Sequence, residues 1–130
     1  MDEVAAGSGS ILVVDDEKEI RTYMEIALNE IGYTARIAAS GQEALDMFKA
    51  ERPDLLITDV IMPGMTGYEL AEKIQAFAPD TGMIFMSGYT PEAKMPAGKI
   101  TKYSAFLSKP FTLGKLAQAI RQVKDQKNAA

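Results

Sequence analysis

The chain has 130 residues, 47% of them hydrophobic, which suits a single domain with a buried core. It contains no cysteine, which excludes disulfides and thiolate metal sites and favours a reducing, cytoplasmic setting. The net charge is −4 and there is no Lys/Arg cluster, which argues against direct binding of nucleic acid, and no apolar run is long enough to span a membrane.

In chain order, a Gly/Ser-rich stretch over residues 1–10 predicts a flexible lead-in. Short apolar runs then predict five strands, at 11–15, 33–38, 55–59, 83–87 and 104–108. Apolar residues at helical spacing predict helices after the first, second, third and fifth strands. Their inward residues are Ile20, Met24, Ala27, Leu28 and Ile31; Ala44, Leu45 and Phe48; Leu70, Ile74 and Phe77; and Leu113, Leu116, Ala117, Ile120 and Val123. The domain is expected to cover residues 11–124, with a frayed tail at 125–130.

Local signals mark the ends of these helices. Gly32 ends the first helix, because glycine readily adopts the left-handed conformation found there. The second and third helices begin at the capping boxes Ser40-x-x-Glu43 and Thr66-x-x-Glu69, and Thr112 caps the last helix. Strands that alternate with helices in this way predict an α/β fold with a parallel sheet.

The segment that follows the fourth strand breaks this alternation. Thr90-Pro91-Glu92 favours the start of a helix, since it supplies a cap, a proline at the first helical position and an early acid. Pro96 and Gly98 follow too soon for a long helix to form. The sequence therefore predicts one helical turn and then irregular chain over residues 90–101.

Three aspartates follow two of the apolar runs directly. Asp15 and Asp16 come after the first strand, and Asp59 ends the third. Ligands of open α/β sheets bind beyond the carboxyl ends of the strands, so the three carboxylates are expected to share one cleft. Their mutual repulsion calls for a cation, and an all-oxygen ligand set favours Mg²⁺ or Ca²⁺. An aspartate beside such an ion is also a plausible nucleophile toward a phosphoryl group.

Each of these residues also has an ordinary explanation. One of Asp15 and Asp16 could cap the first helix, and Asp59 could be the polar end of a strand. Lys109, at the end of the fifth strand, could simply be solvated, and Ser87 before Gly88 is a common strand ending. Their combination at one sheet edge favours a functional site, where the Lys109 ammonium pairs with a carboxylate or a phosphoryl oxygen.

Taken in order, these residues resemble the receiver domain of two-component response regulators. The resemblance covers about residues 10–124, and Pro96 and Gly98 depart from it, since relatives usually carry a full fourth helix. It implies a flavodoxin-like, doubly wound sheet of five parallel strands in the order 2-1-3-4-5, with helices on both faces and here a short or irregular fourth helix. The motifs that carry it are Asp15-Asp16, Asp59-x-x-Met62-Pro63-x-x-x-Gly67, Ser87-Gly88 and Lys109-Pro110-Phe111.

The resemblance also implies roles for individual residues. Asp59 would be the phosphoacceptor. Asp16, Asp59 and the main-chain carbonyl of Ile61 would ligate Mg²⁺, with Asp15 acting largely through a bound water; Mn²⁺ could replace Mg²⁺, and Ca²⁺ could do so in crystals. Lys109, the Ser87 hydroxyl and the Gly88 N–H would bind the phosphoryl oxygens. Ser87 and Phe106 would form a conformational switch, and the Lys109–Pro110 bond is expected to be cis.

The resemblance implies a partner, and particular residues argue against the alternative functions. The chain has no histidine, so a phosphohistidine donor must be a separate histidine kinase or phosphotransfer domain, and the downstream target is unknown. A small-molecule phosphatase or phosphotransferase would need a second acid at position 61, where this chain has Ile61. A docking-only pseudo-receiver would lack an acid, Ser87 or Lys109. A flavin-binding protein would need a phosphate-binding loop after the first strand. The prediction is therefore a signalling phosphoacceptor and not an enzyme.

We expect the first helix to present Ile20 and Arg21 to the partner.

Overall fold

The computed structural model describes residues 9–88 and 103–129. Its elements are β1 (Ser10–Val14), α1 (Lys18–Glu30), β2 (Thr34–Ala38), α2 (Gly41–Ala50), β3 (Leu55–Asp59), α3 (Gly67–Phe77), β4 (Gly82–Ser87), β5 (Tyr103–Ser108) and α4 (Leu113–Ala129). The five strands form one parallel sheet in the order β2-β1-β3-β4-β5, which confirms the predicted fold class. The helical turn and irregular chain predicted over residues 90–101 lie outside the described residues.

The sheet is covered on both faces, so the protein has two cores. Successive side chains of β1 point to opposite faces: Ile11 and Val13 belong to the core under α1 and α4, and Leu12 and Val14 to the core under α2 and α3. All four are buried, because a strand with helices on both sides has no solvent-facing side. The continuous apolar run before Asp15 is the sequence signature of this arrangement.

The two predicted capping boxes form to different extents. At the start of α3, Thr66 Oγ1 accepts the N–H of Glu69 and the Glu69 carboxylate accepts the N–H of Thr66, as predicted. At the start of α2, Ser40 Oγ accepts the N–H of Glu43, but the Glu43 carboxylate accepts the N–H of Ala39 instead of Ser40. In the capping box of α2, the hydrogen bond to the Glu43 carboxylate therefore comes from one residue earlier than predicted.

Phe77 is less buried than its spacing predicts. It is the last residue of α3, and 36% of it is exposed, since it lies at the rim where the helix leaves the sheet. Its ring meets Phe48 edge-on at 5.7 Å, and the charged groups of Lys49 and Arg52 lie 5.8 and 5.7 Å from its centre. Phe77 thus covers one end of the core instead of filling it.

The predicted frayed tail is helical in the structure. Helix α4 continues through Asp125 to Ala129. The Gln126 side chain accepts the Ser104 N–H at 2.9 Å and donates to the Ser104 carbonyl at 3.0 Å. β5 is an edge strand, so this amide takes the place of a neighbouring strand at Ser104 and fastens the end of α4. Composition alone did not reveal this tertiary contact.

Candidate functional site

The strand register brings the predicted site residues to one edge of the sheet. Val14 pairs with Thr58, so Asp15 and Asp59 each lie one residue further along neighbouring strands. Ser87 ends β4 beside Ser108, and the N–H of Lys109 donates to the Ser87 carbonyl at 2.9 Å. Because all the strands are parallel, their carboxyl ends meet here, as the sequence predicted.

The three aspartates form one cluster. A carboxylate oxygen from each of Asp15, Asp16 and Asp59 lies within 4.8 Å of the other two. Asp15 is fully buried and Asp59 is 8% exposed, whereas Asp16 is exposed at the mouth of the site. Two buried carboxylates and one exposed carboxylate this close repel one another, so the cluster needs positive charge.

Lys109 supplies that charge within the protein. Its Nζ lies 3.0 Å from Asp15 Oδ2, 3.2 Å from Asp59 Oδ1 and 3.9 Å from Glu17 Oε1. Burial lowers the pKa of Lys109, but its hydrogen bond and charge interactions with Asp15 and Asp59 outweigh burial and raise the pKa above its ordinary 10.5. Lys109 is therefore a permanent cation that links two carboxylates.

Asp15 also shapes the turn into α1. Its Oδ1 accepts the N–H of Glu17 at 2.9 Å, while Glu17 occupies the N-cap position and makes no side-chain capping bond. The helix-capping explanation of Asp15 and Asp16 is therefore wrong: neither residue is the N-cap of α1. Asp15 organises the turn, and this leaves the Asp16 carboxylate at the rim.

A cavity of about 260 Å³ opens beside the cluster. Six of the predicted site residues line it, together with Glu17, which was not predicted although it directly follows the two acids. Of the residues that line it, Ile61 is 56% exposed and Ser87 is buried. The lining residues are Asp16, Glu17, Asp59, Ile61, Ser87, Gly88 and Lys109.

The loop after β3 is held close to Asp59 by Gly67. The N–H of Gly67 donates to the Val60 carbonyl at 2.8 Å, and a Cβ atom on Gly67 would collide with the main-chain oxygen of Asp59. Only glycine permits this close approach. The eight-residue spacing from Asp59 to Gly67 thus has a steric reason.

Phe106 and Pro110 lie outside this cavity. The Phe106 ring is partly buried, 5.7 Å from the Phe85 ring, and lines a separate cavity together with Pro110. The peptide bond between Lys109 and Pro110 is cis.

Asp59 is the residue whose acidity the site changes most clearly. Burial, and then the charge of Asp15, raise its pKa from 3.8 to about 6, although Lys109 acts in the opposite direction. A carboxyl group with this pKa is ionised at neutral pH, but its negative charge destabilises the folded state. A bound cation would remove this destabilisation.

We expect this cost to appear in the pH dependence of stability without metal. The folded pKa of Asp59 lies above the unfolded value, so the folded state binds more protons, and stability falls as pH rises from about 4 through 6. From pH 5 to pH 8, the free energy of unfolding of the wild type should fall by about 1 kcal/mol more than that of Asp59→Asn, because Asn cannot ionise. Thermal melts of both proteins in chelator at the two pH values measure this difference; equal pH dependence would contradict the prediction.

The comparison with protein families agrees with the fold and the acid cluster. Residues 11–121 match the model of the response regulator receiver domain. The chain belongs to this family. It is 36% identical over 128 residues to the sensor kinase CckA of Brucella abortus, covering 95% of this chain and 13% of that protein. It is 33% identical over 111 residues to the response regulator MprA of Mycobacterium avium, covering 85% of this chain and 49% of that protein.

Solved receiver domains have the same architecture. The receiver domain of the hybrid histidine kinase CckA superposes with a TM-score of 0.73 at 35% identity, covering 88% of this chain and 98% of that one. The chemotaxis protein CheY4 of Vibrio cholerae gives a TM-score of 0.82 at 32% identity, covering 90% and 99%. Receiver domains are signalling modules of two-component systems and not classical enzymes.

The chain spans about half or less of the length of the curated relatives described above. None of the helices within residues 9–88 and 103–129 is long and apolar enough to cross a membrane.

The acid cluster of the receiver domain is suited to a divalent cation. Receiver domains bind Mg²⁺ at an acidic site, and here three carboxylate oxygens lie within 4.8 Å of one another beside a cavity. Hard oxygen ligands without histidine or cysteine match the preference of Mg²⁺. The raised pKa of Asp59 points the same way, because the buried carboxylate is short of positive charge.

Proposed function

We propose that this receiver domain accepts a phosphoryl group from a phosphohistidine donor onto Asp59 in a Mg²⁺-dependent reaction, and signals by a conformational change. The observation that carries the proposal is the position of the Asp59 carboxylate, which faces the cavity between Lys109 and two further acids. An Asp59 oxygen would form the new P–O bond as the P–N bond of the donor breaks. The imidazole nitrogen keeps the electron pair and takes up a proton.

The surrounding residues would neutralise the charge that the phosphoryl group brings. Asp15, Asp16, Asp59 and the Ile61 carbonyl would hold Mg²⁺, with Asp15 acting largely through water. When bound, the ion supplies electrostatic stabilisation of the phosphoryl oxygens. The Lys109 ammonium, already 3.2 Å from Asp59, would pair with another phosphoryl oxygen.

Ser87 and Gly88 would bind the remaining phosphoryl oxygens and start the conformational change. Both residues line the cavity, and their hydroxyl and N–H groups are suited to an anion. We infer that Ser87 is drawn toward the phosphoryl group and that Phe106 rotates toward the space it leaves. Against a small-molecule phosphatase stands Ile61, an apolar side chain exposed at the position where such an enzyme needs an acid.

The proposal is tested on the wild-type domain with acetyl phosphate or phosphoramidate as donor. We expect stoichiometric labelling in Mg²⁺ or Mn²⁺, no labelling in chelator, and release of the label by hydroxylamine, which cleaves acyl phosphates. Labelling that persists in chelator, or a label that hydroxylamine does not release, would contradict the proposal.

The face of α1 beside the site would receive the partner. The sequence predicted that Ile20 and Arg21 are presented there, but Ile20 packs against the core and Arg21 turns toward Asp15. The exposed apolar side chains are instead Tyr23 and Ile26, 41% and 63% exposed. We infer that these two residues contact a helix of the histidine kinase or phosphotransfer domain.

Ile26→Glu separates docking from chemistry. A charge on this face should slow phosphotransfer from the partner about tenfold or more, because a glutamate cannot be buried cheaply in an apolar contact. Labelling by acetyl phosphate should be unchanged, since Ile26 does not line the cavity. A rate from the protein donor equal to that of the wild type would contradict the docking assignment, and Glu25→Ala on the same helix serves as control.

A further inference from the structure

Arg21 is directed inward, against the sequence prediction. Its Nη1 donates to the main-chain oxygen of Asp15 at 2.7 Å, and the side chain is partly buried. A guanidinium bond to a carbonyl at this distance is short and charge-assisted. Arg21 lies one turn inside α1, so the bond fastens the start of this helix to the end of β1.

The Arg21 bond completes a set of four that fix Asp15. The Asp15 N–H donates to the Ala38 carbonyl at 3.2 Å. Oδ1 accepts from the N–H of Glu17 at 2.9 Å, and Oδ2 accepts from Lys109 Nζ at 3.0 Å. The main-chain oxygen, which belongs to the peptide that leads into Asp16, is the group that Arg21 holds. Each polar group of Asp15 is therefore bonded to a different part of the site.

Asp16 has no such support of its own. It is exposed, and among residues 9–88 and 103–129 its side chain accepts no hydrogen bond, although its carboxylate belongs to the three-acid cluster. The direction of this carboxylate consequently depends on the peptide between Asp15 and Asp16. Rotation of that peptide would move the Asp16 carboxylate away from Asp15 and Asp59.

We propose that Arg21 is a positioning residue of the acidic site, whose bond to the Asp15 carbonyl fixes the Asp15–Asp16 peptide and so aims the Asp16 carboxylate at the cation position. The inference rests on the proposed function for the identity of the ion. Arg21 does not line the cavity, so it would contact neither the ion nor the phosphoryl group. It acts through the backbone, as outer partners of metal ligands do.

The test compares Arg21→Ala with Arg36→Ala. Arg36 is a matched control, because its Nη2 also donates to a main-chain carbonyl, that of Glu51, at 2.7 Å, but at the end of α2 and not at the acidic site. The measurements are Mg²⁺ affinity by calorimetry, well below the melting temperature, and hydrogen exchange of the Glu17 amide in metal-free protein.

Arg21→Ala should weaken Mg²⁺ binding about tenfold and accelerate exchange at Glu17, whose N–H donates to Asp15 Oδ1. Arg21→Lys, which retains one donor and the charge, should recover part of the affinity. Arg36→Ala should change neither quantity. Mg²⁺ affinity in Arg21→Ala within twofold of the wild type, or an equal loss in Arg36→Ala, would overturn the proposal. If the wild type bound no Mg²⁺, the proposed cation would be wrong, while the metal-free exchange rates would still decide the role of Arg21.

Discussion

Asp59→Asn is expected to abolish phosphoryl transfer to the domain, with a rate at least about a thousandfold below that of the wild type. The amide that replaces the carboxylate is a poor nucleophile, so the P–O bond of the acyl phosphate cannot form at a useful rate. The fold should survive, because Asn is nearly isosteric and lacks the charge that burial and Asp15 disfavour. Loss of labelling will therefore accompany unchanged or higher thermal stability.

Labelling with radioactive acetyl phosphate, followed by peptide mapping, measures this effect. Asp46→Asn is the control, since Asp46 is an exposed aspartate on α2, whose carboxylate accepts a hydrogen bond from the Gln42 side chain and lies outside the acid cluster. It should be labelled like the wild type. Persistent stoichiometric label on another residue of Asp59→Asn would show that the phosphoacceptor has been assigned wrongly.

Much of the fold and of the acid cluster could be predicted from the sequence. The signals were strong because they are local: short apolar runs ending in acid, capping residues, and strands alternating with helices. Parallel pairing then requires Asp15 and Asp59 to meet, since both follow strands that point the same way. Lys109 is placed by the same rule at the end of β5.

The differences between expectation and structure concern residues whose placement depends on tertiary contacts. Arg21 was expected to face a partner, because a charged residue in a helical pattern usually faces solvent, but the Asp15 carbonyl offers it a buried acceptor. Residues 125–130 were expected to fray on composition, but in the structure α4 continues to Ala129 and the Gln126 side chain bonds to the backbone of Ser104. Neither acceptor can be seen in the sequence, because each appears only when two distant segments meet.

The charge balance of the site explains why a cation and a phosphoryl group would be coupled. Among the described residues, Lys109 is the cation that pairs with the clustered carboxylates, and it is shared between Asp15 and Asp59. A bound divalent ion would release Lys109 from this compensation, so that its ammonium could turn to a phosphoryl oxygen. Removing one acid should therefore change ion binding and metal-free stability in opposite directions.

Asp16→Ala is the variant that separates these two effects. Asp16 contributes an oxygen to the three-acid cluster, so its loss should lower Mg²⁺ affinity by about tenfold or more. The charge of Asp16 also raises the pKa of Asp59, as the smallest of the raising causes, after burial and Asp15. Its removal relieves that repulsion, and the metal-free domain should become more stable by only about 0.5 kcal/mol, because Asp16 is exposed and screened by water.

Thermal melts with and without Mg²⁺ read both effects from the same protein. The wild type should gain melting temperature with Mg²⁺, since a ligand that binds only the folded state stabilises it, and Asp16→Ala should lose most of that gain. Glu17→Ala is the matched control: Glu17 is the adjacent acid, 3.9 Å from Lys109, but it is not one of the three clustered carboxylates. It should retain the Mg²⁺-induced gain. An unchanged Mg²⁺-induced rise in melting temperature in Asp16→Ala would show that Asp16 is not a ligand of the ion. An equal loss in Glu17→Ala would show that the effect comes only from the net charge at the mouth of the cavity.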